Sequence, residues 1–130
     1  MQFRILDSSH KIDNGIEYIK NILNSNPDCT ISIGCDSQNS RKYCAYVTAI
    51  AFRYPGLCAH VIYQSHHVPK IRDKFARLWK ETEESVEMAM ALVENDITVD
   101  AIELDFNKVK TAGSNMMVAP SVGYVVGFRV

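Results

Sequence analysis

Two aspartates at the ends of predicted strands are the residues of this sequence best suited to chemistry. Cys29 to Asp36 alternates apolar and polar side chains and ends on a carboxylate, and Val99 to Phe106 alternates likewise with Asp105 beside its end. Carboxylates at neighbouring strand ends repel each other unless a cation lies between them, so the pair indicates a site for Mg2+ or Mn2+. For either aspartate alone, capping of a turn or helix is the better explanation.

A third carboxylate could come from the segment Lys70 to Asn95, whose apolar residues recur with a helical period. On a helical wheel Glu81 and Glu83 fall at the two edges of the apolar stripe, whereas Glu84 and Glu87 point away toward solvent. An edge residue can face a sheet and still reach a solvated site. The residues themselves therefore leave both Glu81 and Glu83 as candidates.

Basic residues cluster around this predicted acidic centre. Lys70, Lys74 and Arg77 share the helix side of Glu81, and further cations follow the two strands: Arg41, Lys42, Lys108 and Lys110. This arrangement suits phosphate contacts beside a metal site. Ordinary surface ion pairing also explains it, with only a small contribution to stability.

Length and composition predict one soluble domain over residues 1 to 130. The chain is 47% apolar and 22% charged, and its formal net charge is −1. That balance removes the strongly basic excess that is typical of nucleic-acid binders, so the placement of charge must decide the question.

Cysteine usage and the termini predict a cytoplasmic protein. The four cysteines lack zinc-site spacing, which favours free thiols in a reducing compartment. The start resembles no export signal, and the uncharged run Thr111 to Phe128 is too polar and broken to cross a membrane. His66 and His67 would point to opposite faces of a strand, so we expect packing or loop roles for them.

The element order predicts an α/β layer structure with a mixed sheet. The predicted elements are a helix at Ile12 to Leu23, a strand at Cys29 to Asp36, a loop at Ser37 to Ser40, a hairpin of Tyr43 to Tyr54 with Leu57 to Ser65, a helix at Lys70 to Asn95 and a strand at Val99 to Phe106.

A series of motifs in one consistent order resembles the ribonuclease H-like YkuK family over about residues 12 to 128. The most specific motif is Gly34-Cys35-Asp36-Ser37-Gln38. The others are Arg72 to Lys74, Glu81-Thr82, Glu103-Leu104-Asp105, Ser114-Asn115, Val122-Gly123-Tyr124 and Gly127-Phe128.

The resemblance implies a ribonuclease H-like fold, in which three antiparallel strands lead through a crossover helix to a parallel strand, with helices on the sheet faces. It implies that Asp36, Glu81 and Asp105 bind Mg2+ or Mn2+, and that the protein hydrolyses RNA or RNA-containing duplexes by a two-metal mechanism. The predicted substrate contacts are Ser37, Gln38, Ser114 and Asn115, joined by the cations Lys74 and Arg77.

The sequence departs from the family pattern at several points. Cys35 stands where the family usually has Thr and Glu103 where it usually has His, and no Asp or Glu follows Asp105, where members commonly continue to a further acidic segment. A metal would then be held less tightly. We therefore keep two alternatives: a catalytically inactive module that binds nucleic acid or a protein partner, and a homo-oligomer formed through an exposed sheet edge. We expect Glu103 to be exposed or bound to a basic neighbour.

Overall fold

The computed structural model describes residues 1–6, 8, 10–56 and 59–104. The elements in chain order are β1 (Phe3–Ile5), β2 (Lys11–Ile12), α1 (Gly15–Ser25), β3 (Thr30–Asn39), β4 (Tyr43–Arg53), β5 (Ala59–Pro69), α2 (Lys74–Glu94) and β6 (Ala101–Glu103). The six strands form one sheet in the order β2-β1-β5-β4-β3-β6.

The sheet has the predicted mixed topology. β3, β4 and β5 are antiparallel neighbours, and α2 then carries the chain across to β6, which pairs parallel with β3 from Ser32 to Gly34. A parallel neighbour cannot be reached by a tight turn, which is why a long helix lies between β5 and β6. The edge strands of the described sheet are β2 and β6, and pairing of an edge with a second copy stays a prediction.

Both described helices pack against the same face of the sheet, which we name the inner face; the opposite side is the outer face. The alternation of β4 shows the division, because Cys44, Tyr46, Thr48, Ile50 and Phe52 are buried on the inner side. The core between this face and the helices includes Ile19, Ile31, Ile33, Ile50, Ile62, Ala89 and Leu92. Neither described helix carries an apolar stretch able to span a membrane.

The predicted loop from Ser37 to Ser40 is largely wrong, because β3 continues through Asn39. Each residue of this extension pairs with β4, and the turn closes with a bond of 2.7 Å from the N–H of Ser40 to the C=O of Tyr43. Cross-strand pairing outweighs the weak strand propensity of these polar residues. Asp36 therefore lies inside the strand and not at its end.

The first helix begins later than predicted, because Ile12 pairs with Phe3 in a short hairpin of β1 and β2. Asn14 caps the helix by accepting a bond of 3.1 Å from the N–H of Glu17. Gly15 follows at a close approach, since a Cβ there would lie 2.4 Å from the Phe3 ring.

The long helix also begins later, at Lys74 instead of Lys70. Asp73 caps it through a bond of 3.2 Å from the N–H of Phe75, and the N–H of Lys70 instead binds the C=O of Lys42 at 3.0 Å. Lys70 is therefore not part of the helix, and of the three cations predicted to share the helix side of Glu81 only Lys74 and Arg77 lie on α2.

Candidate active site

Ser37 contacts two of the three predicted carboxylates. Its hydroxyl donates a hydrogen bond to Oε2 of Glu81, and its backbone N–H donates to Oδ1 of Asp36 at 2.9 Å. Ser37 and Glu81 are 7% and 8% exposed, whereas Asp36 is exposed to solvent. Asp36 and Glu81 therefore both hydrogen-bond Ser37, Asp36 at the backbone N–H of the serine and Glu81 at its hydroxyl.

The strand geometry explains why the two carboxylates approach Ser37 differently. Adjacent residues of a strand point to opposite faces, so Ser37 faces α2 from the inner side and Asp36 belongs to the outer side. Asp36 lines an outer-face groove of about 460 Å³ together with Gly34 and Glu103. Glu81 reaches Ser37 from the helix above the inner face.

The backbone N–H of Ser37 points toward the β6 side of β3. On that side the N–H of Ile31 donates to the carboxylate of Asp100 at 2.7 Å, and the C=O of Ile31 accepts from the N–H of Asp100 at 2.9 Å. Residues an even number apart along a strand turn their N–H groups to the same side. The described pairing of β3 with β6 ends at Gly34. Ser37 lies three residues further along β3, where its N–H donates a hydrogen bond to the carboxylate of Asp36.

The orientation of α2 decides between the two candidate glutamates. The buried stripe is centred near Leu78 and Ser85, so it is rotated toward the side of Glu81 relative to the predicted stripe. Phe75 and Val93, two apolar residues of the helix, are 37% and 50% exposed. Glu81 therefore lies against β3.

The position of Glu84 differs from the one that the sequence predicts. The sequence predicts a solvent-facing side chain, but that of Glu84 is only 15% exposed. Its Oε1 lies 2.7 Å from Nε2 of His66 on β5 and 3.4 Å from Nζ of Lys80. The rotation of α2 brings this side of the helix over the sheet, so Glu84 pairs with residues that the wheel could not place. His66 thus has the packing role that we expect for it.

A cross-strand row lies beneath this part of α2. Ser37 pairs with Tyr46, and Tyr46 pairs with His66, so the three share the inner face. The Tyr46 hydroxyl donates to the C=O of Arg77 at 3.1 Å, and its ring stacks on His66 with centroids 5.8 Å apart. Lys80 Nζ lies 5.5 Å from the centre of the same ring. These contacts fix α2 over the row, and only the strand register reveals them.

The thiol and the phenol beside Glu81 are weak acids here. Burial, together with the charges of Glu81 and Glu84, raises the pKa of Cys35 to about 12, although a hydrogen bond with Thr48 partly opposes the shift. Burial and the neighbouring Cys44 raise the pKa of Tyr46. Cys35 therefore remains a protonated thiol at neutral pH and is not an activated nucleophile.

The other predicted substrate contacts are only partly placed. Gln38 and Lys74 are exposed, and Arg77 is half-buried, with its Nε lacking a hydrogen-bond partner within the described ranges. Asp105, Ser114 and Asn115 lie outside the described residues.

Glu103 behaves as expected, because its Oε1 binds Nη2 of Arg53 at 2.9 Å while both side chains remain more than half exposed.

The described residues supply two of the three predicted metal ligands. Within residues 1–104, apart from the gaps, no three His, Cys, Asp or Glu side chains gather in a way that could hold a metal ion. The donors that meet at Ser37 are nevertheless carboxylate oxygens, the type that Mg2+ and Mn2+ prefer. Asp36 and Glu81 lie on opposite faces of β3, so the described side chains do not converge on one position for an ion, and the remaining predicted ligand, Asp105, lies outside the described residues.

Comparison with known proteins gives one match. A family model described as Ribonuclease H-like matches residues 14–129, which is most of the chain and includes Asp36, Glu81 and Asp105. No curated protein and no solved structure matches the sequence.

Proposed function

Because the chain belongs to the ribonuclease H-like family, as its motif order predicts, we propose that it is a divalent-metal-dependent nuclease acting on RNA or RNA-containing duplexes. Family membership supports a function related to nucleic acid; the metal dependence and the substrate are our proposal. The observation that supports it is that the predicted ligands Asp36 and Glu81 both hydrogen-bond Ser37, Asp36 from the outer side of β3 and Glu81 from the inner side.

We assign the metal-binding role to Asp36, Glu81 and Asp105. The parallel register of β3 and β6 supports Asp105 as the third ligand. Gly34 pairs with Glu103, and Asp36 and Asp105 each lie two positions after these paired residues. A ladder that continued by two pairs would set Asp36 opposite Asp105. The placement of Asp105 itself belongs to the proposal.

When bound, Mg2+ or Mn2+ would polarise the phosphate and help to generate hydroxide from water. The chain's own residues would position the reacting groups. Asp36 is exposed and so accessible to substrate, while Ser37 holds the buried Glu81 in one orientation. Gln38 and Lys74 are exposed and could contact substrate oxygens, and Arg77 on the same helix would add positive charge.

The test is cleavage of labelled RNA, RNA/DNA hybrid and DNA by purified protein with Mn2+ or Mg2+. We expect Asp36→Asn and Glu81→Gln each to lower the rate by about 100-fold or more, because removing a charged ligand weakens the electrostatic stabilisation of the transition state. Glu87→Gln is the matched control, since Glu87 is an exposed glutamate of the same helix. Equal cleavage by an Asp36→Asn, Asp105→Asn double variant would identify a contaminating nuclease and overturn the proposal.

A second candidate is a non-catalytic module that binds nucleic acid. It is favoured by the placement of Glu81, which is 8% exposed and bound to Ser37 on the face of β3 opposite Asp36. Calorimetric titration with Mn2+ separates the two. Metal binding that Asp36→Asn abolishes counts against the inactive module, whereas RNA binding without cleavage or metal binding supports it.

A further inference from the structure

A small basic surface lies on the outer face at the far side of the sheet from β6. Arg4 of β1 pairs with Lys11 of β2 and with Tyr63 of β5. Directly paired residues of antiparallel strands share a face, so the three side chains stand next to one another. Their chain neighbours Phe3 and Ile62 are buried in the core, which places Arg4, Lys11 and Tyr63 on the outer face. We call these three residues the hairpin patch.

The hairpin patch borders a cleft of about 270 Å³. Arg4 and Lys11 are exposed, Tyr63 is half-buried, and Ser65 adds a hydroxyl group to the rim. Among the described residues that line the cleft, the charged ones are Arg4 and Lys11, and both are positive. Asp13, two positions after Lys11, accepts a hydrogen bond of 3.5 Å from the lining residue Gln2, so among the described residues two cations face one neighbouring carboxylate beside an aromatic ring.

We propose that the hairpin patch binds a single-stranded nucleic-acid segment. Arg4 and Lys11 contact successive phosphates, and Tyr63 stacks on a base. Positively charged grooves combined with aromatic stacking are the usual means of holding single strands without reading their sequence. The choice of nucleic acid as the ligand rests on the proposed function, whereas the site rests on the strand register and the cleft.

The outer face connects the hairpin patch with the groove that Asp36 lines. From Arg4 the paired row continues through Tyr63 and Ala49 to Gly34. Neighbouring strands lie about 4.8 Å apart, so this row spans about 14 Å. A stacked strand advances about 3.4 Å per phosphate and would cover that distance in about four nucleotides. Among the described residues this row carries only small side chains at Ala49 and Gly34, and a strand held at the hairpin patch would lie a few nucleotides from Asp36.

The experiment measures binding of a fluorescein-labelled oligouridine by anisotropy, in EDTA so that cleavage cannot occur. We expect the Arg4→Gln, Lys11→Gln double variant to raise the Kd several-fold. The slope of log K against log salt should fall in magnitude by about 1.4, or about 0.7 for each lost phosphate contact. Tyr63→Leu should raise the Kd by about fivefold or more and leave the salt slope unchanged, because it removes stacking without removing charge.

Lys20→Gln is the matched control, since Lys20 is an exposed lysine on α1, which packs on the inner face. An unchanged Kd and salt slope in the double variant would overturn the proposal, and so would an equal loss in Lys20→Gln. The single variant Lys11→Gln is a check against misfolding of the double variant, because Lys11 is exposed on a two-residue edge strand. Glu87→Gln, at an exposed glutamate outside both sites, should bind like the wild type. Because the assay contains EDTA, failure of the proposed nuclease activity and failure of this site give different results.

Discussion

The hydroxyl of Ser37 donates a hydrogen bond to the carboxylate of Glu81, which lies 44 positions further along the chain. Both side chains are buried, so the bond joins the middle of α2 to β3 where little water is available to replace it. A buried carboxylate that loses a donor retains its desolvation cost. Ser37 therefore contributes to the packing of α2 as well as to the orientation of the proposed ligands.

Ser37→Ala should lower the free energy of unfolding by about 1 to 3 kcal/mol, because it removes a donor from the buried carboxylate of Glu81. Urea denaturation of the metal-free protein measures the change. Ser65→Ala is the control, since Ser65 is exposed on β5. An equal loss of unfolding free energy in the two variants would show that the bond between Ser37 and Glu81 does not stabilise the fold.

His66→Ala should lower the free energy of unfolding by about 1 kcal/mol, because it removes one of two partners of Glu84 Oε1, the one at 2.7 Å, and the stacking on Tyr46. Solvent screening limits the ionic part of this effect, since the His66 side chain is 46% exposed. His67→Ala provides a matched control on the opposite face of the same strand. A larger loss at His67 would contradict the network described for α2.

Stability should fall at alkaline pH. The folded-state pKa of Cys35 is raised from 9.0 to about 12. The stability that this thiol contributes in its protonated form is therefore fully present below pH 9 and is lost as the pH rises toward 12. Tyr46 acts in the same direction, since its pKa is also raised. Urea denaturation in EDTA between about pH 8 and pH 11 should show this decline. Cys35→Thr should flatten it, and an unchanged slope in that variant would assign the decline to other groups.

Two glycines of this sequence should respond differently to alanine. Gly15→Ala should destabilise the protein by about 1 to 3 kcal/mol, because a Cβ would lie 2.4 Å from the Phe3 ring and overpack the core. Gly34→Ala should be tolerated, because its Cβ would meet the C=O of Glu103 at an ordinary 3.7 Å. Thermal melting of both variants tests this pair. A loss at Gly34 as large as at Gly15 would show that the strand pairing there is tighter than described.

The sequence predicts those elements whose pattern is long and periodic. The alternation of β4 and the helical period of α2 are strong local signals, and they lead to the antiparallel strands and the crossover. β1 and β2 escape prediction because three and two residues carry no detectable period. Their place in the sheet depends on pairing with β5, a segment far along the chain.

The candidate site shows the same division between local and distant information. Asp36 can be proposed from its place in a strand pattern, whereas the helical wheel leaves Glu81 and Glu83 and the family resemblance selects Glu81. The bond between Ser37 and Glu81 and the pairing of His66 with Glu84 depend on register and on the rotation of α2. Neither quantity is encoded in a short stretch of sequence, so the helical wheel placed Glu84 in solvent.

Divalent metal should stabilise the folded protein in a way that depends on Asp36 but not on Glu103. A ligand that binds only the folded state stabilises it by about 2.7 kcal/mol at one hundred times its Kd, so Mn2+ should raise the Tm of the wild type. Asp36→Asn should abolish the increase. Glu103→Gln should retain it, because Glu103 is bound to Arg53 at 2.9 Å and would not serve as a ligand. An equal shift in the wild type and Asp36→Asn would place the ion elsewhere, and loss of the shift only in Glu103→Gln would move the site to β6.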